Sequence, residues 1–554
     1  MTITFNGEIY NFLVLKALLE QKGFVFKSKT DTEVILNGYK LWGEGVFKKM
    51  KGMWALAIYD RKNSKIILSR DRFGIKPLYY SLVGKTFIFS SEIRVIKDFF
   101  VSRGEKLPLK EVGLESYFLF GFAAGSNTIF RDINKVLPGE TIEFDLSKKV
   151  LTKKLMRESL SQEREGTSSN DFKDIFIRSV SDHLISDVPV GMFFSGGVDS
   201  SAIALALKHL GVKIPLVNLN IEGRHDSFYA TKIADFLKMP YHEISFGEKE
   251  FASAFGLFSD NIDDCVADTA MVSSLYLSHF FRNNLGIKVV LTGEGADELF
   301  LGYPRHKALS KVNSVYKRRS LLSTWLDSFR NAGSQHGPRD LCNGLRLRMS
   351  NVVDSFVSPD YLSLYEDCFS LNNGLISPNS VDSYLRKFLR GEQKIGPSLF
   401  DLIFYLPDDL LFKTDFSTMA YSLEARTPFL YDSVFCFANS AEDRSKIGND
   451  GLGKAPVRDF LKGEIPTELI DRQKYGMSFP VNWYLLKYYD KEVREAFAFL
   501  RSFNIPFLPN RLIEKALSDV HYFRSLFKKY PGFVFSVLVF YLANRSCAYN
   551  IVLY

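Results

Sequence analysis

The chain has 554 residues, of which 46% are hydrophobic and 24% charged, with a formal net charge of +8. That length exceeds one ordinary core, so two or more domains are expected, and the composition is ordinary for a soluble globular protein. The positive charge is spread out, with only short clusters such as "YKRRS" (316–320), and reads as a solvated surface rather than a nucleic-acid footprint.

In chain order, residues 1–5 alternate as a β-strand, and Asn6-Gly7 reads as the sharp turn after it. "NFLVLKALLEQKG" has helical apolar spacing and ends at Gly23, a glycine C-cap. "WALAIYD", "KIILSRD" and "KTFIFSSE", separated by turn residues, predict short antiparallel strands. The polar stretch 158–171 has linker composition and sets the domain boundary. Beyond it, "VPVGMFFSGGVDSSAIALAL", "IPLVNLNIEG" and "IKVVLTGEGADELF" place apolar strands before turns and helices, which implies a parallel sheet covered on both faces. Residues 305–400 look helical and carry no assignable chemistry. The apolar run 532–543 is shorter than the ~20 residues a bilayer requires, and predicts a buried core helix. Five cysteines, far apart and without CxxC spacing, argue against a zinc site or a disulfide framework and fit a reducing cytoplasm.

The stretch Ser195-Gly196-Gly197-Val198-Asp199-Ser200-Ser201 carries chemistry. Two glycines let backbone N–H groups approach a ligand, and the helix that starts there points its positive end at an anion. Asp199 would repel phosphate, a conflict that a Mg²⁺ shared with the phosphates removes. An ordinary capped Gly-Gly turn is the competing reading, and the whole heptapeptide between an apolar strand and an apolar helix outweighs it. The loop lacks the GxxxxGK[ST] pattern of a Walker A motif.

The heptapeptide resembles the pyrophosphate loop of the ATP pyrophosphatase superfamily. "LTGEGADELFLGY", "KTDFSTMAYSLEARTPFL" and "DRQKYGMSFPVNW" resemble the signature blocks of glutamine-hydrolysing asparagine synthetases, and "FNGEIYN", "SKTDTEVI" and "SRDRFGIKPLYY" that family's glutaminase domain. The resemblance covers nearly the whole chain. It implies an α+β, Ntn hydrolase-like glutaminase sandwich, incomplete, over residues 1–157, a linker at 158–171, and an α/β parallel-sheet synthetase domain over 172–554. It also implies ATP and Mg²⁺, with aspartate and glutamine or ammonia as the other small-molecule partners. No nucleic acid or membrane is expected, a homodimer is left open, and the expected location is cytoplasmic.

On this resemblance Ser195, Gly196, Gly197, Asp199 and Ser200 hold the pyrophosphate, while Asp199 and Asp297 hold Mg²⁺. Lys474 neutralises the departing pyrophosphate. Glu294 takes a proton from the attacking ammonia, against a competing reading as a helix cap. Phe193, Leu219, Thr292 and Gly293 contact the adenine nucleotide. Asn6 and Gly7 form an oxyanion hole, and Glu8 and Asp31 grip the glutamine α-amino group. Three departures bear on the acceptor: Leu301-Gly302-Tyr303 replaces Gly-Gly-Tyr, Tyr431 pushes the carboxylate of "PFLD" to Asp432, and Asp226-Ser227 shortens "DES".

The family's glutaminase nucleophile is an N-terminal cysteine, and no cysteine precedes Cys265 here. The expectation is therefore ammonia-dependent synthesis without glutamine hydrolysis, an exposed sheet edge, and Met1 as an internal start within a longer product beginning Met-Cys. The rivals are an adenylating enzyme acting on a sugar acid or forming an intramolecular amide, a tRNA-modifying enzyme with a pyrophosphate loop, and a non-catalytic binding module.

Overall fold

The computed structural model describes residues 1–155, 171–221, 226–306, 375, 380–389, 398–448, 450–470 and 481–553. Lys474, residues 158–170 of the expected linker, and most of the helical expectation for 305–400 lie outside the described residues.

The N-terminal part contains β1 (Thr2–Ile9), β2 (Gly52–Asp60), β3 (Lys65–Arg70), β4 (Tyr79–Val83), β5 (Thr86–Ser90), β6 (Leu107–Pro108), β7 (Asn134–Lys135), β8 (Glu140–Asp145) and β9 (Val150–Leu155). One antiparallel sheet has the order β1-β2-β3-β8-β9, with β1 at its edge, and a second has the order β5-β4-β7. The period of two along β2 explains the layering. Trp54, Leu56 and Ile58 join Leu15, Leu19, Val34 and Ile35 of the helices Phe12–Gln21 and Asp31–Trp42. Ala55 and Ala57 face the other way, against Leu78, Tyr80 and Val136 on the side of the second sheet.

The expected turn at Asn6-Gly7 is not there. β1 continues to Ile9, pairing Asn6 with Ala55 and Gly7 with Trp54. Gly7 is needed for close approach instead: at φ +153°, a Cβ would sit 2.0 Å from the Met53 carbonyl oxygen. The expected end of the first helix holds, because Gly23 at φ +86° donates its N–H to the Glu20 carbonyl.

The second part is built on β10 (Val190–Phe193), β11 (Leu216–Ile221), β12 (Tyr241–Phe246), β13 (Val289–Leu291) and β14 (Glu424–Arg426). These strands form one parallel sheet in the order β12-β11-β10-β13-β14. From β10 the chain proceeds outward to β12, then returns to place β13 on the other side. The strand order reverses between β10 and β13, and parallel sheets bind ligands beyond the carboxyl ends of strands at such a point.

The apolar run near the C-terminus is longer as a helix than its sequence suggests. Pro531–Asn544 continues as a 3₁₀ turn through Asn550, a span whose length and composition could cross a membrane. Of its most apolar window, 67% is buried inside the protein. Phe533, Val537 and Phe540 pack with Tyr117 and Phe118 in one core, where Tyr117 donates its hydroxyl hydrogen to the Ser536 carbonyl at 2.6 Å. β15 (Ile551–Val552) then pairs in parallel with β6.

The two parts are also joined by buried charge. Lys76 pairs with Asp415 at 2.8 Å and Lys135 with Asp408 at 2.8 Å. A partly exposed pair adds to these: Asp432, the carboxylate displaced by one position, lies 2.9 Å from Arg72.

Candidate active site

The glycine loop leaves β10 at Phe194 and enters the helix Val198–His209, with Gly197 at its N-cap and Gly196 at φ +64°. The loop is internally braced. The Ser195 hydroxyl accepts from the Gly197 N–H at 3.3 Å and lies 3.2 Å from the Ser200 hydroxyl, and Ser200 donates to the Gly197 carbonyl at 3.2 Å. A Cβ on Gly196 would come within 2.7 Å of the Ala230 Cα, so only glycine lets the loop lie against the helix Asp226–Leu237.

The loop after β13 faces this one across the switch point. Gly293 lies against Asp199, where a Cβ would be 3.1 Å from the Asp199 Cβ. Thr292 is buried, and its N–H donates to the Arg426 carbonyl at 2.9 Å. Its hydroxyl has no hydrogen-bond partner among the described residues. Phe193 ends β10 and Leu219 lies in β11, both packed half-buried against the cluster that contains Val217 and Val290.

Glu294 does not cap a helix, because Gly295 holds the N-cap of Ala296–Leu299. Instead it accepts from the Thr414 hydroxyl at 3.3 Å, across the cleft. Thr414 lies on the helix Leu411–Met419, which follows a wide π-helical run, Asp401–Leu410, interrupted by Pro407. The same helix carries Lys413, paired with Asp268 at 3.1 Å. Burial alone would lower the Lys413 ammonium, but Asp268, Glu294 and Asp409 together raise it, which keeps it charged. Burial, with Asp268 next, pushes Asp409 well above the usual carboxylate range.

Asp199 and Asp297 converge on one cation. The Lys454 ammonium lies 2.7 Å from Asp199 Oδ2 and 2.8 Å from Asp297 Oδ1. Two carboxylates that share one positive charge are a donor set that suits Mg²⁺, which takes hard oxygens and binds through one or two carboxylates plus phosphate. Among the described residues no group of three or more histidine, cysteine or acidic side chains could hold a metal alone.

At the other end, Asn6 donates from its side-chain amide to the Ser91 hydroxyl at 3.3 Å. Asp31 accepts from the Ile9 N–H at 3.1 Å, and burial raises its carboxyl. Burial pushes Glu8 up to about 7, Arg426 opposing and Glu424, Asp31 and Asp187 adding to the rise. Arg426 is buried, donating to Glu424 at 2.7 Å and to the carbonyls of His183 and Ile185, with Glu8 at 3.5 Å. One residue thus touches Glu8 through its side chain and Thr292 through its backbone.

Sequence reasoning missed Lys454, Lys413, Asp268 and Arg426. Arg426 lies inside the quoted "SLEARTPFL" block, and Lys413 opens "KTDFST"; Lys454, in "GLGKAP", carries no local signal. A cavity of about 470 Å³ lined by Arg444, Arg458 and Lys462 includes none of the expected site residues.

Residues 171–533 match the family described as asparagine synthase, and residues 1–155 match the glutamine amidotransferase domain. Asparagine synthetase [glutamine-hydrolyzing] 1 of Bacillus subtilis (strain 168) is 29% identical over 505 residues, covering 89% of this chain and 78% of the relative. Putative asparagine synthetase [glutamine-hydrolyzing] 2 of Methanocaldococcus jannaschii is 30% identical over 443 residues, covering 75% and 81%. Among solved structures, the glutamine phosphoribosylpyrophosphate amidotransferase of B. subtilis aligns with a TM-score of 0.21 at 13% identity, covering 53% of this chain and 61% of that one. The chain belongs to the asparagine synthase family, carbon–nitrogen ligases in which a glutamine amidotransferase domain precedes the synthase domain.

Proposed function

We propose that the chain makes asparagine from aspartate and ATP through a β-aspartyl-AMP intermediate, releasing AMP and pyrophosphate, with ammonia as its nitrogen source. The observation that carries this is the convergence of the Ser195–Ser200 loop, the Asp199–Asp297 pair and Glu294 at the sheet's switch point. Backbone N–H groups of the loop and the start of the helix Val198–His209 bind the β- and γ-phosphates. Asp199 and Asp297 would hold Mg²⁺, which neutralises charge on the departing pyrophosphate when bound. Glu294, oriented by Thr414, accepts a proton from ammonia as nitrogen attacks the acyl-adenylate. Thr292, which the family resemblance assigns to the adenine nucleotide, has a buried hydroxyl with no hydrogen-bond partner among the described residues, free to meet a ligand.

In the same reading residues 1–157 are an Ntn hydrolase-like amidotransferase domain and 172–554 the synthetase domain. The helix–sheet–sheet layering around β2 supports the first assignment. Glu8 and Asp31 form the acidic end that would receive an α-ammonium group, while Asn6 and Gly7 polarise a carboxamide. None of these four residues is itself a nucleophile, and this reading takes ammonium as the nitrogen source, tested by asparagine formation from ammonium against glutamate release from glutamine.

Asp199→Ala tests the metal and phosphate role. The expected result is loss of aspartate-dependent pyrophosphate release in a folded protein; release at the parent rate removes Asp199 from the mechanism.

A further inference from the structure

Lys454 occupies the place between the two carboxylates to which the proposed function gives the metal. Its ammonium is within 2.8 Å of both Asp199 and Asp297, and its side chain is 7% exposed. The backbone holds it there. Lys454 has φ +64°, caps the helix Ala455–Leu461, and donates its N–H to the Phe300 carbonyl at 2.7 Å. The backbone packs closely beside it: a Cβ on Gly302 would be 2.0 Å from Asp297 Oδ1 and 2.3 Å from the Lys454 Cε, and one on Gly453 would be 2.0 Å from the Leu301 carbonyl oxygen.

We infer that Lys454 is the counter-ion of the Asp199–Asp297 pair and bars the metal until nucleotide arrives. A divalent cation entering alone must displace the ammonium from both carboxylates and leave a buried positive charge without a partner, which is strongly unfavourable. A metal that enters with ATP brings phosphate charge with it, so the displaced ammonium exchanges one anion for another. The metal therefore binds as the nucleotide complex, and free divalent cation neither occupies the site nor stabilises the empty protein. Lys454 is a positioning residue in this scheme: it sets the order of binding.

This inference rests on the metal assignment proposed above, and the test separates the two. Mn²⁺ binding is followed by electron paramagnetic resonance and by thermal shift, with and without a non-hydrolysable ATP analogue. The wild-type chain should bind Mn²⁺ only with the analogue. Lys454→Gln, which removes the charge but keeps a hydrogen-bond donor, should bind Mn²⁺ alone about tenfold tighter or more than wild type and be stabilised by it. Lys454→Arg, which keeps the charge, should behave as wild type, and Asp199→Asn added to Lys454→Gln should abolish the gain. If Lys454→Gln binds free Mn²⁺ no more tightly than wild type, the counter-ion role is wrong. If wild type binds no Mn²⁺ even with the analogue, the metal assignment itself fails. Should Lys454→Gln not fold, wild type still decides, because tight Mn²⁺ binding without nucleotide overturns the inference.

Discussion

Two glycines at opposite ends of the helix Val198–His209 allow the proposed phosphate role of the loop to be tested with a built-in control. Gly196 and Gly211 have nearly the same backbone, at φ +64° and +69°. An alanine in that conformation costs about 1–2 kcal/mol in either place. The surroundings differ. A Cβ at Gly211 meets nothing within 4 Å, whereas one at Gly196 lies 2.7 Å from the Ala230 Cα and 2.9 Å from its backbone nitrogen. Those atoms belong to a helix and cannot rotate aside, so overpacking adds about 1–3 kcal/mol. Gly211→Ala should therefore lose about 1–2 kcal/mol and keep full synthesis, and Gly196→Ala about 2–5 kcal/mol. The loop can relieve that strain only by moving away from Ala230, which displaces the N–H groups expected to meet phosphate. Urea denaturation and binding of a fluorescent ATP analogue measure both effects. Equal denaturation midpoints for the two variants, with parental nucleotide affinity in Gly196→Ala, would refute the reasoning.

Glu294→Gln should keep nucleotide binding and lower asparagine formation about 10²-fold or more, read from product yield at saturating ammonium; unchanged yield would leave Glu294 only its Thr414 contact. Lys76→Met should destabilise the chain by about 3–5 kcal/mol, because Asp415 stays buried without its partner, and Lys76→Met with Asp415→Leu should recover most of that. Denaturation of both variants checks this, and a double variant no better than the single would contradict it. Burial holds His183 down at about 3, from an ordinary 6.5, with the Ser179 carbonyl opposing the shift and Arg426 adding to it. The unfolded chain then binds the proton that the folded one refuses. Stability from His183 is full above pH 6.5 and falls by about 1.4 kcal/mol per unit as pH drops toward 3. His183→Gln should flatten that acid limb; identical pH profiles would show that His183 is not buried as a neutral ring.

What could be read from the sequence was local. The parallel sheet was legible because buried strands such as "MFF" and "VVL" are continuously apolar and are followed by turn residues. The glycine loop between β10 and its helix was legible because its glycines and hydroxyls are adjacent. Asn6-Gly7 was misread for the same reason, since the turn preference of the pair is local and the Met53 carbonyl that requires Gly7 comes from a strand 46 residues away. Lys454 meets Asp199 across a separation of 255 positions in the chain, and no pattern in "GLGKAP" announces it. Leu301 also depends on context. It sits at φ +56° where the resembled motif has glycine, and it is fully buried. The burial of that side chain, at about 2–5 kcal/mol for leucine to alanine, outweighs about 1–2 kcal/mol of backbone strain.

The central claim is that a carboxylate oxygen of aspartate attacks the α-phosphorus of ATP. Aspartate labelled with ¹⁸O in its side-chain carboxylate, incubated with this chain, Mg²⁺, ATP and ammonium, tests it by mass spectrometry of the nucleotide product. Ammonia attack on the acyl-adenylate expels AMP together with the bridging oxygen, so the account predicts one ¹⁸O in each AMP, with equimolar pyrophosphate and asparagine. Label appearing in inorganic phosphate alongside ADP, or asparagine formed with unlabelled AMP, would contradict it.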